Sequence, residues 1–275
     1  MARVLITEKI ADAGVQRLRN AGHTVDVKLN LGEEQLLAEV STADAVIIRS
    51  ATGITKEVIE KGENLVVIGR AGIGLDNVDV DAATERGVMV VNAPKSNVLS
   101  AAEHTIALML AQARNIPQAN MALKSGRWER DAWTGVELAD KTLGIIGLGR
   151  IGKLVAQRAL SFGMNLVAYD PFVALDRARQ LSVELLPLRD LMEISDFITV
   201  HVAKTPETEN LIDAEILAYA KSNLRVINVA RGGIVSEGAI AEAIGKGKIA
   251  GAAIDVFENE PTTESPLFDL EQVVV

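Results

Sequence analysis

The chain has 275 residues, a formal net charge of −9 and a 48% hydrophobic content in which only Phe 5, Trp 2 and Tyr 2 are aromatic. That acidic balance, without a long Lys/Arg run, argues against nonspecific binding to nucleic acid or an anionic membrane surface, and the apolar content argues against disorder. The absence of Cys excludes disulfides, thiolate nucleophiles and Cys-ligated metals.

The opening MARVLITEKIADAG lacks the apolar core of a signal peptide. No apolar run approaches the roughly 18 residues that span a bilayer. The expectation is a cytoplasmic protein of two domains, at roughly 100–200 residues each.

Short apolar runs alternate with helical stretches. Strands are expected at Val4–Thr7, His23–Val27, Ala45–Ile48, Leu65–Gly69 and Val88–Val91, with helices at Ile10–Ala21, Leu31–Val40, Lys56–Lys61 and Asp79–Arg86 between them. Continuous Val/Ile runs between helices mark parallel strands covered on both faces, and the β-α-β order predicts an open α/β sheet. Asn92-Ala93-Pro94-Lys95-Ser96 breaks the rhythm, and a long helix follows over Val98–Arg114, with Ser96 or Asn97 as its cap. The boundary falls within 93–97, giving domains 1–95 and 96–275. Lys124–Asp140 is irregular and holds both Trp. Alternation then resumes and runs to a terminal Val273-Val274-Val275, which reads as the middle of a buried strand.

The most informative stretch is Gly147-Leu148-Gly149-Arg150-Ile151-Gly152, a G-x-G-x-x-G with an apolar strand before it and an amphipathic helix, Lys153–Phe162, after it. The first Gly makes a tight turn, the second lets backbone approach a pyrophosphate, and the third lets helix and strand pack closely. The helix N-terminus presents free N–H groups to phosphate, and Arg150 adds charge. A second strand, Leu166–Tyr169, ends at Asp170, placed to accept from the adenosine ribose hydroxyls. A carboxylate there repels a 2′-phosphate, so NAD is expected rather than NADP.

Further strands follow: Asp196–Val202 carries His201 near its end, Arg225–Val229 leads into Ala230-Arg231, and Ile249–Ile254 ends at Asp255, with Glu260 just beyond. Ligands sit at the carboxyl ends of strands in open α/β sheets. The planar fork of Arg231 suits a carboxylate or carbonyl substrate.

Taken together the motifs resemble the D-isomer-specific 2-hydroxyacid dehydrogenases along the whole chain. The carriers are Arg70–Asp79 (RAGIGLDNVD), Asn92-Ala93-Pro94 with Ser96-Asn97, Gly147–Gly152, His201 with Thr205–Thr208, Asn228–Gly233, and Asp255-Val256-Phe257 with Glu260-Pro261. The resemblance implies a flavodoxin-like substrate domain, a Rossmann NAD domain and, most closely, oxidation of 3-phosphoglycerate to 3-phosphohydroxypyruvate in serine biosynthesis. It implies that Arg231 binds the substrate carboxylate and polarises the reacting oxygen, and that Glu260 raises the pKa of a catalytic His. Asp255 meets the nicotinamide carboxamide. Gly147, Gly149, Arg150, Ile151, Gly152, Asp170, His201, Thr208 and Ala230 contact the cofactor. The amides of Gly72, Ile73 and Gly74 bind the carboxylate, Arg49 and Ser50 receive the phosphate, and Trp128 belongs to a contact of a homodimer or homotetramer built through the NAD domain. No metal, nucleic acid or membrane enters this reading.

The sequence departs from the family at its end. The family's general acid/base His lies just past the strand that is here Val273–Val275. His23 is expected on the surface, His104 as a packing or interface residue, and His201 as a cofactor contact rather than a proton shuttle. A chain without that His and the terminal helix after it is expected to be very weakly active and to expose apolar surface over residues 1–93. Two alternatives remain open: another branch, such as a glyoxylate or hydroxypyruvate reductase, and a non-enzymatic NAD-sensing interaction protein.

Overall fold

The computed structural model describes all residues, Met1–Val275, and divides into two compact units, Met1–Asn97 and Val98–Val275.

The first unit is built from β1 (Arg3–Ile6), α1 (Asp12–Asn20), β2 (Thr24–Val27), α2 (Glu33–Val40), β3 (Ala45–Ile48), α3 (Lys56–Lys61), β4 (Val67–Arg70), α4 (Val80–Glu85) and β5 (Met89–Asn92). All strands are parallel, in the order β2-β1-β3-β4-β5, the flavodoxin-like arrangement. Its order reverses between β1 and β3. Leu5, Val46, Ile48 and Ile68 point to one face, where α2, α3 and α4 bring Leu36, Val40, Val58, Ile59 and Ala83 against them. Val4, Ile6, Val25 and Ala45 point to the other, where α1 packs Val15 and Leu18. On β5, Met89 and Val91 stay 64% and 42% exposed. Helix caps follow the chemistry of their residues: Thr55 accepts from the Val58 N–H and Asp79 from the Ala82 N–H at 2.9 Å.

The second unit opens on α5 (Val98–Ala113) and α6 (Ile116–Lys124), followed by β6 (Thr142–Ile146), α7 (Arg150–Ser161), β7 (Asn165–Tyr169), α8 (Leu175–Arg179), β8 (Glu184–Leu185), α9 (Leu188–Ile194), β9 (Phe197–Val200), α10 (Ala214–Leu217), β10 (Arg225–Asn228), α11 (Glu237–Gly245), β11 (Gly251–Ile254) and β12 (Val273–Val274). The parallel order is β8-β7-β6-β9-β10-β11-β12. This is the doubly wound 3-2-1-4-5-6 pattern with one strand added, and its switch point lies between β6 and β9. Leu143, Ile145, Phe197, Ile227 and Ala253 face α5 and α7. Ile146, Ile198, Val200, Val226 and Ile254 face α11 and the α9–α10 side. Both faces are apolar and covered, as continuous Val/Ile strands require. No helix is long and apolar enough to cross a membrane.

The Ser96 hydroxyl donates to the Ala93 carbonyl at 3.0 Å and closes the turn that leads into α5. The sequence pattern does not separate α6 from its surroundings. Asn115 takes the left-handed conformation (φ 50°) and Pro117 sits in the first turn, so this helix starts afresh after a sharp break.

Candidate active site

In the second unit, the glycine loop joins the carboxyl end of β6 to α7 at the switch point. Gly147 has φ +96°, and a Cβ there would lie 2.8 Å from the His201 carbonyl carbon and oxygen. A Cβ on Gly152 would overlap the Gly147 carbonyl oxygen, so only glycine lets α7 start this close to its strand. Gly149 is different: nothing lies within 4 Å of where its Cβ would be. The first and third glycines are required by the fold itself, while the second leaves an open approach to backbone at the start of a 12-residue helix. That is the cradle a pyrophosphate fits. Arg150 is exposed and Ile151 half-buried on the first turn of that helix.

Asp170 follows β7 and turns back onto this loop. Its Oδ2 accepts the Leu148 N–H at 2.8 Å and its Oδ1 the Phe172 N–H at 2.9 Å. Each carboxylate oxygen has a second lone pair, so the side chain can fix the loop and still accept from ribose hydroxyls. The Asp170 carboxylate and the glycine loop are therefore one hydrogen-bonded unit.

His201 follows β9. Its N–H donates to the Ile146 carbonyl at 2.7 Å, and its ring Nε2 lies 3.0 Å from the Thr199 hydroxyl. Burial pushes the imidazole down to about 3. It is neutral at physiological pH and far too weak a base for a proton shuttle, which works best with a pKa near the operating pH. Thr208 closes the turn after β9: its hydroxyl accepts the Thr205 N–H at 2.8 Å and donates to the Ala203 carbonyl at 2.7 Å.

At the end of β10 the buried Asn228 organises the next turn. Its Oδ1 accepts the Ala230 N–H at 3.0 Å and its Nδ2 donates to the Arg231 carbonyl at 3.0 Å. The Arg231 guanidinium donates to the Ala230 carbonyl at 2.6 Å, while the Ala230 N–H is taken by Asn228. Gly232 lies so close to the Phe257 carbonyl that any Cβ would overlap it. This fastens the Arg231 turn to the segment carrying Glu260, whose Oε1 accepts the Phe257 N–H at 2.8 Å. Beyond β11, Asp255 has a partner that the sequence pattern does not foresee. His104, on α5, places Nε2 3.1 Å from the Asp255 Oδ1. His104, expected as a packing or interface residue, turns its ring to a carboxylate at the carboxyl edge of the sheet.

The first unit gathers its candidates around its own switch point. Arg49 and Ser50 are exposed at the end of β3. Their loop is held by Glu8, just past β1, whose carboxylate accepts the N–H groups of Arg49 (2.8 Å), Thr52 (2.9 Å) and Ala51 (3.2 Å). Burial raises the Glu8 carboxyl, but the three amides and the Thr52 hydroxyl together outweigh it and hold the pKa below the ordinary value. From the other side the buried Arg70 donates to the Arg49 carbonyl at 3.1 Å, and Asn77 donates to the carbonyls of Arg49 (2.8 Å) and Thr52 (2.6 Å). The glycine segment after β4 requires one correction. The Gly72 N–H donates to the Arg70 carbonyl at 2.9 Å and its carbonyl accepts the Ala93 N–H, so Gly72 is not a free anion donor. A Cβ on Gly72 would also overlap the Arg70 guanidinium. Ile73 and Gly74 keep their amides, and Asn92 anchors the Ile73 carbonyl at 2.7 Å.

Of the remaining candidates, Trp128 is 80% exposed. His23 is half-buried rather than on the surface, with its Nδ1 shielded and unpartnered. No group of three or more His, Cys, Asp or Glu is arranged to hold a metal ion.

Comparison with known proteins agrees with this geometry. A family model described as "D-isomer specific 2-hydroxyacid dehydrogenase, NAD binding domain" matches residues 106–275. D-3-phosphoglycerate dehydrogenase of Mycobacterium tuberculosis is 53% identical over 274 residues, covering 99% of this chain and 51% of the relative. The chain thus spans about half the length of the curated relatives it matches. Among solved structures, the TT0316 protein from Thermus thermophilus superposes with a TM-score of 0.91 at 34% identity, covering 99% of this chain and 88% of that one. A D-lactate dehydrogenase from Aquifex aeolicus, complexed with NAD and lactic acid, gives 0.88 at 26% identity, covering 99% and 86%.

Proposed function

The chain belongs to the D-isomer specific 2-hydroxyacid dehydrogenase family, and from that premise we propose that it carries the substrate-binding and NAD-binding parts of a cytoplasmic enzyme that oxidises 3-phosphoglycerate to 3-phosphohydroxypyruvate. The single observation that carries the cofactor half is the glycine loop at the β6/β9 switch point with Asp170 bonded into it. When bound, NAD supplies the acceptor for the hydride leaving C2 of the hydroxy acid.

The chain's own residues bind and orient. The open backbone at Gly149, the α7 N-terminus and Arg150 take the pyrophosphate. Asp170 takes the adenosine ribose and disfavours a 2′-phosphate. The neutral His201 lines the cofactor side of β9, with Thr208 and Ala230 shaping the turns on either side of it. Arg231, set by Asn228 and the Ala230 carbonyl, holds the substrate carboxylate and draws electron density from the reacting oxygen. Within the first unit, the amides of Ile73 and Gly74 suit a carboxylate, and Arg49 with Ser50 suits a phosphate. Because Glu8 fills the amides of 49, 51 and 52, the phosphate is left to the Arg49 guanidinium and the hydroxyl and N–H of Ser50. Glu260 supports the proton-accepting group; neither His201, neutral and weak, nor His104, bonded to Asp255, serves as that group. Trp128, exposed like Met121 and Leu123 of α6, supports a homo-oligomer formed through the second unit.

The test is NADH formation by the full chain with 3-phosphoglycerate, glycerate and lactate side by side. We expect kcat/KM to favour the phosphorylated acid. Arg49→Ala should cost about 10–100-fold with 3-phosphoglycerate, the worth of one charge-assisted hydrogen bond, and little with glycerate. Equal use of glycerate and 3-phosphoglycerate would overturn the substrate assignment.

A further inference from the structure

We infer that His104 is a positioning residue for the nicotinamide end of the dinucleotide, acting through Asp255. The doubly wound sheet is two mononucleotide-binding halves meeting at the switch point. Asp170, just past β7, marks the half that takes adenosine, so the strands β9, β10 and β11 form the half that takes the nicotinamide nucleotide. Asp255 is the first residue past the carboxyl end of β11, where its N–H is committed to the Asn228 carbonyl at 3.0 Å. Its backbone is fixed and its carboxylate stands at that edge.

An Asp in this place needs something to set its χ angles, because a half-exposed carboxylate with no partner samples several rotamers. The sheet offers nothing that does so; α5 does. That helix packs across β10, β11 and β12 and brings His104 to Asp255 across 151 positions of sequence. Nε2 engages Oδ1 at 3.1 Å, and Oδ2 accepts from no group in the chain. A carboxamide bears an N–H2 that needs such an acceptor. One oxygen held and one oxygen open, at a defined angle, is the arrangement that selects an amide.

The pair is poorly placed to serve stability. His104 and Asp255 are 47% and 46% exposed, and ion pairs this exposed contribute little. The neighbouring Glu103 is occupied with Arg158 of α7 at 3.7 Å and does not compete for the ring. What the contact changes is the direction of the free oxygen, and therefore the fit of a nicotinamide amide as opposed to the rest of the dinucleotide. The inference rests on the NAD reading above, and the probes below separate the two.

The experiment is calorimetric titration of the wild-type chain, His104→Ala and His104→Gln with NAD and with ADP-ribose, which lacks the nicotinamide ring. His104→Ala should weaken NAD about five- to tenfold and leave ADP-ribose unchanged. His104→Gln, which keeps an N–H donor within reach of Asp255, should recover much of the loss. Far-ultraviolet dichroism of each variant checks that α5 is intact. An unchanged NAD affinity in His104→Ala, or a parallel fall with ADP-ribose, overturns the positioning role. A wild-type chain that binds ADP-ribose but gains nothing from the nicotinamide overturns it while leaving dinucleotide binding standing. A wild-type chain that binds neither overturns both.

Discussion

The three glycines of the phosphate loop look alike in sequence and differ in what they do. Gly152 is required by packing, since a Cβ would overlap the Gly147 carbonyl, whereas the space beside Gly149 is open. Gly152→Ala should therefore destabilise the second unit by about 1–3 kcal/mol, as overpacking does, read as a fall in the denaturant midpoint. Gly149→Ala should leave stability within about 0.5 kcal/mol and weaken NAD by about tenfold, by filling the approach to the pyrophosphate. Equal effects of the two changes on stability would contradict this division. The loop is legible in the sequence because its constraints are local: all three glycines fall within six positions, and the helix that presses on them is the next element. The His104–Asp255 contact is not legible, because it depends on where α5 crosses the sheet and spans 151 positions. The engaged Gly72 amide is hidden for a related reason: the conformation that bonds it to Arg70 leaves no mark in the residue order RAGIG.

At the scale of elements, most strands of both sheets are visible as short Val/Ile/Ala runs, and their expected ends fall within about two residues of the observed ones. The helix α6 and the two-residue β8 are not, since the first follows a left-handed Asn and the second has too few residues to show alternation. The joint between β1 and β3 shows what element-level reading misses. Glu8 is a single acidic residue after a strand, yet its carboxylate satisfies three N–H groups on the far side of the switch point. Its folded pKa lies below the ordinary value, so its contribution to stability is fully present above the unfolded pKa of about 4.3, and is lost as pH falls through the folded one. Glu8→Gln should accordingly lose about 0.5–1.5 kcal/mol at neutral pH, the net worth of a hydrogen bond at a partly exposed site. It should also unfold with a shallower acid limb than the wild type as the pH falls below about 5. Parallel pH profiles for the two proteins would show that Glu8 does not hold this loop.

At the scale of the whole molecule, each unit has its own sheet and its own buried cores. The dinucleotide features, from Gly147 through Asp170 to Asp255, lie in Val98–Val275 alone. A ligand stabilises only the state that binds it, by RT ln(1 + [L]/Kd), or about 2.7 kcal/mol at a hundredfold excess over Kd. A unit of this size gains roughly 2–4 °C in melting temperature per kcal/mol. Scanning calorimetry at rising NAD should therefore resolve two transitions and move one of them upward by roughly 5–10 °C, leaving the transition of Met1–Asn97 in place. ADP-ribose should move the same transition by less, the difference being the part of the binding free energy that the nicotinamide side of the sheet supplies. If both transitions move together under NAD, the units unfold cooperatively and the dinucleotide stabilises the molecule as one body. If neither moves, the glycine loop does not hold a dinucleotide, whatever its resemblance to loops that do.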